Sequence, residues 1–292
     1  MSLPARLPAP SATPPATRDR LEALLRERKL DRTLTTVLPG EGRSVAVAPF
    51  DVATLDARLL GGLPRGQMSE LIGPVSSGRT SLALTWLGAA TRRGESAALI
   101  DTFDRFDPAS GALCGIELAR LLWVRGQAIT KTSGAIDPAW LPGTRAVDGP
   151  GTLLERTIDR ALKALNLVLQ SGVCSAVVFD LADVPLPGLH RVPLTTWLRL
   201  QRIVEGTDTA CLLMGPVPIA RSAGGVTIVT ASDHAGDRKP SPGNRTVRWA
   251  GTHDRSRRLA GFDVNVRVAS PRRTVQGITS VRTVAREVAV GE

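Results

Sequence analysis

Nine residues constrain this chain more than any others: Gly73-Pro74-Val75-Ser76-Ser77-Gly78-Arg79-Thr80-Ser81. Their spacing is that of a phosphate-binding loop, G-x-x-x-x-G-K-[ST], with arginine at 79 where the pattern carries lysine. Such a loop wraps backbone N–H groups around phosphate oxygens and aims a helix N-terminus at them, so it needs a strand before it and a helix after it. Both are legible. Gln67 to Ile72 reads as a short strand, and Leu82, Ala83, Trp86, Leu87 and Ala90 recur at helical spacing between Thr80 and Arg93. Gly73, Ser76, Ser77, Gly78, Arg79, Thr80 and Ser81 are therefore candidate nucleotide contacts. The Thr80 hydroxyl is a candidate magnesium ligand. Arginine is larger and planar and does not replace a lysine point charge. The spacing alone leaves a working nucleotide site and an inherited scaffold equally open.

Downstream, strands and helices alternate. Ala97–Asp101 is a buried-type strand ending in an acid, a helix is expected over 108–119, and Leu121–Val124 is another short strand. Thr152-x-x-Glu155 is a capping box opening a helix with the stripe Leu154, Ile158, Ala161, Leu162, Leu165, Val168 and Leu169. Ala176–Asp180 is the next strand, again ending in an acid. An apolar strand closing on Asp after a phosphate loop is the second nucleotide signature, its carboxylate holding magnesium or a magnesium-bound water; an Asp capping a turn is the plainer alternative. A Pro-rich loop is expected over 183–190, a helix over 192–205, and strands over 209–214 and 226–230. This alternation predicts an α/β fold with a mainly parallel sheet and helices on both faces, whose ligands bind at the carboxyl ends of the strands. Gly73, Asp101 and Asp180 all fall there.

The flanks differ in composition. Residues 1–16 hold five prolines and read as a disordered tail. Residues 17–50 hold one short amphipathic helix near 18–30, with its own core or a partner molecule as the surface it packs on, and a linker. The core is expected over 51–231 and a basic, β-rich extension over 232–292. Arg238 to Glu292 carries 12 Lys/Arg against 4 Asp/Glu, most of the chain's net charge of +10. Residues 246–250 and 262–268 alternate apolar and polar as half-buried strands do. Arg255, Arg257 and Arg258 fall between them, and Arg272 and Arg273 follow. These five are candidate DNA contacts, with a solvated edge that blocks strand aggregation as the alternative.

The three cysteines are scattered and form no C-x-x-C pair, so they read as small buried apolar residues of a reducing cytoplasm. No run of 18 apolar residues predicts a membrane span. Aromatic residues make up only 3% and tyrosine is absent, so the core must be built of Leu, Val, Ala and Ile.

Gly61-Gly62-Leu63-Pro64-x-Gly66, then Glu70, then Gly73-Pro74-x-Ser76-Ser77-Gly78-x-Thr80 resembles the bacterial RecA recombinase core. The resemblance continues through Ile100-Asp101 and Asp107-Pro108 to Asp180 and covers roughly 50–230. It implies the RecA-type twisted, mainly parallel sheet. Departures cluster at one chemical site. The resemblance places a catalytic glutamate two residues after Asp101, where this chain has Phe103, and a phenyl ring cannot orient or activate water. Ser110 stands where an adenine-stacking tyrosine is expected. Gly215-Pro216 replaces an Asn-Gln pair that senses the γ-phosphate. The segments after Asp180 and Met214 are shorter than the loops with which RecA grips DNA.

Four losses around one site imply lost hydrolysis. The chain in this respect resembles the ImuA class, RecA-like proteins of SOS mutagenesis. That resemblance implies a non-hydrolysing accessory role in translesion synthesis. The implied partners are a Y-family polymerase-like mutagenesis protein, an error-prone DNA polymerase or RecA, together with DNA. ATP and magnesium would bind weakly without turnover. The alternatives are a divergent RecA-type ATPase, with Asp101 or Asp104 as replacement base, and a DNA-binding regulator of RecA filaments.

Overall fold

In the computed structural model, residues 46–126, 153–220, 225–230, 245–250, 258–269 and 278–284 are described, all within one compact unit, Val45–Glu292. The tail 1–16, the helix expected near 18–30, Thr152, the linker after 232, and Arg255, Arg257, Arg272 and Arg273 lie outside the described residues.

The phosphate loop joins β3 (Gln67–Ile72) to α2 (Arg79–Arg92), as its spacing requires. Ahead of it, β1 (Val47–Ala48) pairs antiparallel with β2 (Leu63–Pro64), and α1 (Ala53–Arg58) lies between them in sequence. After α2 come β4 (Ala97–Asp101), α3 (Pro108–Leu113), a single 3₁₀ turn at Leu118–Arg120, and β5 (Leu121–Arg125). Then follow α4 (Leu153–Ser171), β6 (Ala176–Asp180), α5 (Leu186–Arg191), α6 (Leu194–Val204) and β7 (Ala210–Gly215). The remaining strands are β8 (Thr227–Thr230), β9 (Arg245–Ala250), β10 (Arg258–Ala269) and β11 (Ile278–Val284).

Nine strands form one sheet in the order β11-β10-β8-β3-β7-β6-β4-β5, with β9 on β10. The six strands from β8 to β5 run parallel, whereas β10 pairs antiparallel with β8, β9 and β11. This is a mainly parallel α/β sheet with an antiparallel end. The strand period of two splits its core. Leu71, Leu99, Val178, Leu212 and Ile228 face a cluster with Leu82, Trp86 and Leu87 of α2; Ala98, Ile100, Val177, Phe179 and Leu213 face a second with Leu165 of α4 and Trp197 and Leu200 of α6. Helices thus cover both faces of the parallel half.

Two local expectations are corrected. The helix expected over 108–119 stops at Leu113, because Gly115 takes a left-handed turn (φ 87°) and redirects the chain into the 3₁₀ turn. The Pro-rich stretch 183–190 is not all loop: α5 begins at Leu186. Proline is compatible with a first helical turn, whose N–H groups have no intrahelical acceptor. The cysteines are free; Cys174 and Cys211 are buried, and burial pushes the Cys211 thiol up to about 12. No described helix is long and apolar enough to cross a membrane.

Candidate nucleotide site

The phosphate loop is held from below by the neighbouring strand. Thr230, fully buried at the end of β8, donates from Oγ1 to the Ile72 carbonyl (3.1 Å), and its hydroxyl shares a 2.7 Å hydrogen bond with Ser77 Oγ. A Cβ at Gly73 would stand 2.2 Å from Thr230 Oγ1 and 2.5 Å from its carbonyl oxygen, so only glycine passes there. Ser76 and Gly78 take left-handed conformations (φ 61° and 92°) on either side of Ser77. That local geometry produces the concave run of N–H groups that takes an anion, at the start of a 14-residue helix. Ser76 and Thr80 are exposed, whereas Ser77 is turned inward onto Thr230. The backbone therefore fits a phosphate.

The side chains around it have a different character. Arg79 is only 5% exposed, and its Nη1 has no hydrogen-bond partner among the described residues. Burial lowers its pKa, a displacement only partly countered by the charges of Asp180 and Asp183. The guanidinium lines a cavity of about 240 Å³ with Ser76, Thr80, Phe103, Asp180 and Asp183. Phe103 is 4% exposed and belongs to the apolar cluster that includes Ile100 and Phe179, so an apolar ring faces this cavity. Asp180 ends β6 in register with Asp101 of β4 and accepts from the Ala182 N–H at 2.8 Å. Burial pushes its carboxyl up to about 7, reinforced by the nearby Asp101 and Asp183 and opposed by the Ala182 hydrogen bond and Arg79. A carboxyl in that state holds magnesium less readily than an ordinary aspartate, since a metal ligand must first lose its proton.

The raised value has a pH signature. Between about pH 4 and 7 the folded protein keeps a proton on Asp180 that the unfolded chain has released, so stability from this group is full at low pH and is lost as pH rises toward 7. Asp180→Asn is expected to stabilise the protein at pH 8 by about 1–2 kcal/mol, a figure discounted because the carboxyl is only partly buried, and to flatten the pH dependence between 5 and 8. Thermal melts across that range check this; an Asn variant that is less stable at pH 8 would overturn it.

The other two acids have structural partners. Asp101 accepts from the Arg105 N–H (2.9 Å), the Phe106 N–H (2.8 Å) and Trp123 Nε1 (3.2 Å), fixing the turn after β4. Asp104 is held in a fork by Arg125 Nε and Nη2 at 2.9 and 2.8 Å. Ser110 donates to Asp107 Oδ2 (2.6 Å), which also caps α3 through the Ser110 N–H. Glu70 is 3% exposed and accepts from the Ile219 and Ala220 N–H groups at 2.7 and 2.6 Å, anchoring the segment between β7 and β8.

The structure thus brings together Gly73, Ser76, Ser77, Gly78, Arg79, Thr80 and Asp180 at the carboxyl ends of β3 and β6; Ser81 follows on the first turn of α2. Sequence reasoning missed Thr230 and Asp183. Asp183 lies three residues beyond a signalled acid, but nothing local marks it. Thr230 acts through a contact 153 residues distant in sequence, for which no local pattern exists.

A strand, phosphate loop and helix within a mainly parallel sheet define a phosphate-loop α/β protein. Within that class, residues 37–132 match the RecA N-terminal domain family. RecA of Thermus thermophilus is 26% identical over 222 residues, 71% of this chain and 54% of that protein. RecA of Roseiflexus sp. is 41% identical over 80 residues (27% of this chain, 23% of that protein), and the chloroplastic DNA repair protein recA homolog 1 of Arabidopsis thaliana is 41% identical over 81 (28% and 18%). The chain is similar to RecA over these stretches, and it spans about half the length or less of these relatives.

Proposed function

We propose that this protein is a non-hydrolysing RecA-like accessory factor in SOS-induced mutagenic translesion synthesis, most like the ImuA class, acting through protein and DNA contacts in the cytoplasm. The observation that carries the reading is the cavity beside the loop. Where phosphoryl transfer needs an activated water and a mobile cation, there stand a buried phenyl ring, Phe103, and a guanidinium, Arg79, with a nitrogen unpaired among the described residues. The phosphate nest survives in the backbone, so ATP with magnesium at Thr80 and Asp180 binds weakly and is not turned over. A divergent ATPase would need Asp101 or Asp104 as its base, and both carboxylates are engaged with fixed donors. The partners in this reading are a Y-family polymerase-like mutagenesis protein, an error-prone polymerase or RecA.

The test is complementation. A deletion strain is irradiated, and damage-induced mutation frequency is scored with wild type, Asp180→Ala or Gly78→Asp restored. The accessory reading expects Asp180→Ala to restore mutagenesis to within about twofold of wild type, with purified protein showing no ATP turnover above background. Loss of mutagenesis in Asp180→Ala together with measurable, Asp180-dependent turnover would identify an ATPase instead. No mutagenesis defect in the deletion strain itself would remove the translesion role.

A further inference from the structure

Among the described residues, helices pack against the antiparallel end of the sheet on one side only. Ile228, Val264, Val266, Val268 and Val281 are at most 5% exposed and pack into the α1–α2 side of the core. On the other face, Thr227, Val229, Asp263, Asn265 and Ala269 are half-buried and Arg267 is exposed. The helices on that side, α4 and α6, pack on β4 and β3, in the parallel half. The pattern is that of a sheet with one face toward solvent.

Strand register says which residues share that face, because residues directly opposite one another in an antiparallel pair lie on the same side. Arg267 stands opposite Val229 of β8 and Ile278 of β11. Arg282 of β11 stands opposite Asp263, and Arg248 of β9 opposite Gly261, positions four and six residues along β10 from Arg267 and therefore on its face. Beyond the bulge between Leu259 and Gly261, Arg258 stands opposite Ala250, the next position of the same face of β9. Four arginines from three adjacent strands thus fall on one face, with Asp263 its one acid among the described positions. From Arg267 to the level of Arg248 is six residues, a run of about 20 Å.

We infer that this open face of β8, β9, β10 and β11 binds the sugar–phosphate backbone of DNA, through Arg248, Arg267 and Arg282. Charge complementarity names the occupant. Among the described positions the face carries the arginines with Thr246, Asn265 and Ser280, the aliphatic Val229, Ile278 and Val284, and no aromatic residue for base stacking, a composition that suits phosphate contact rather than base readout. It also lies within the stretch that carries most of the chain's excess positive charge. The inference rests on the reading of this protein as a DNA-associated accessory factor, but uses none of the nucleotide site. It also differs from the basic run between β9 and β10 as the contact surface.

Fluorescence anisotropy of full-length protein tests it, with fluorescein-labelled 30-mer oligo(dT) and a 30-bp duplex titrated between 50 and 200 mM salt. Arg248→Gln/Arg267→Gln/Arg282→Gln is expected to bind at least tenfold more weakly, and its log–log salt slope to fall by about 2–3 relative to wild type. Arg255→Gln/Arg257→Gln is the comparison variant and should retain most of the affinity. Thermal unfolding reports whether the triple variant is folded. If it is not, exposed Arg267→Gln alone should reduce affinity and salt slope, by about one phosphate contact. Wild-type affinity in folded triple variant or in Arg267→Gln overturns the assignment. So does loss confined to Arg255→Gln/Arg257→Gln, absence of DNA binding by wild type, or loss of an acidic protein partner with DNA binding intact. Each of these leaves the complementation result standing, so the two readings fail separately.

Discussion

Glu70→Ala is expected to lower the free energy of unfolding by about 3–5 kcal/mol, the range for removing one partner of a buried charge-assisted network. Glu70 sits in β3 at 3% exposure, and one carboxyl oxygen accepts both the Ile219 and Ala220 N–H groups while the other accepts from Thr227 Oγ1 at 3.3 Å. Truncation to alanine removes the acceptor and strands two backbone donors beside a buried strand, where water cannot readily replace it. The cost should appear as a lower urea midpoint with an unchanged m-value, since the surface exposed on unfolding is the same. Glu70→Gln keeps one acceptor oxygen on both N–H groups and should lose only about 1 kcal/mol. Equal losses in the two variants, or less than about 1 kcal/mol for alanine, would show that the network carries little stability. The functional consequence is local: the segment Glu70 anchors connects β7 to β8, and β8 ends in Thr230, the residue under the phosphate loop.

Arg79→Met is expected to stabilise the protein by about 1–3 kcal/mol, as replacing a poorly paired buried charge with an apolar side chain of similar length does. Two effects compete. Methionine removes the cost of burying a guanidinium whose Nη1 lacks a partner; it also removes the attraction of Asp180 and Asp183 for that charge. Burial is the larger of the two, which is why the Arg79 pKa lies below the ordinary value, and it decides the sign. The same substitution should move the Asp180 titration further up from about 7, because Arg79 opposes the rise. Calorimetric melts at pH 5 and 8, with the Asp180 carbon followed by NMR, report both. A destabilised Arg79→Met would mean that the pairing with Asp180 and Asp183 outweighs desolvation. A stabilised variant that supports mutagenesis normally would place Arg79 outside the function.

The elements that were legible share a local cause. The loop spacing, the apolar runs ending in Asp101 and Asp180 and the 3.6-residue stripe of α4 each report a backbone geometry fixed within a few residues, and each element lies where it was expected. The two misplaced boundaries, at Leu113 and Leu186, depended on a glycine turn and on a proline-tolerant first helical turn. The chemistry of the site was legible only as residue identity. Phe103 could be read as the absence of a base, but Asp101 and Asp104 remained open replacements until Trp123 and Arg125 were found holding them. Arginine clusters in sequence drew attention to 255–258 and 272–273. Arg248, Arg267 and Arg282 are 15 or more residues apart and share a face only through strand register.

The sequence by itself determined the phosphate loop between its strand and helix and the alternating order of the parallel sheet, because these follow from residue type and short-range period. The tertiary structure alone decided that Arg79 is buried with a nitrogen unpaired among the described residues, that burial pushes the Asp180 carboxyl up to about 7, and that β10 runs back along β8 with Arg267 exposed. Burial, charge and register are set by which distant segment packs against a residue, and the packing of distant segments leaves no mark in local spacing.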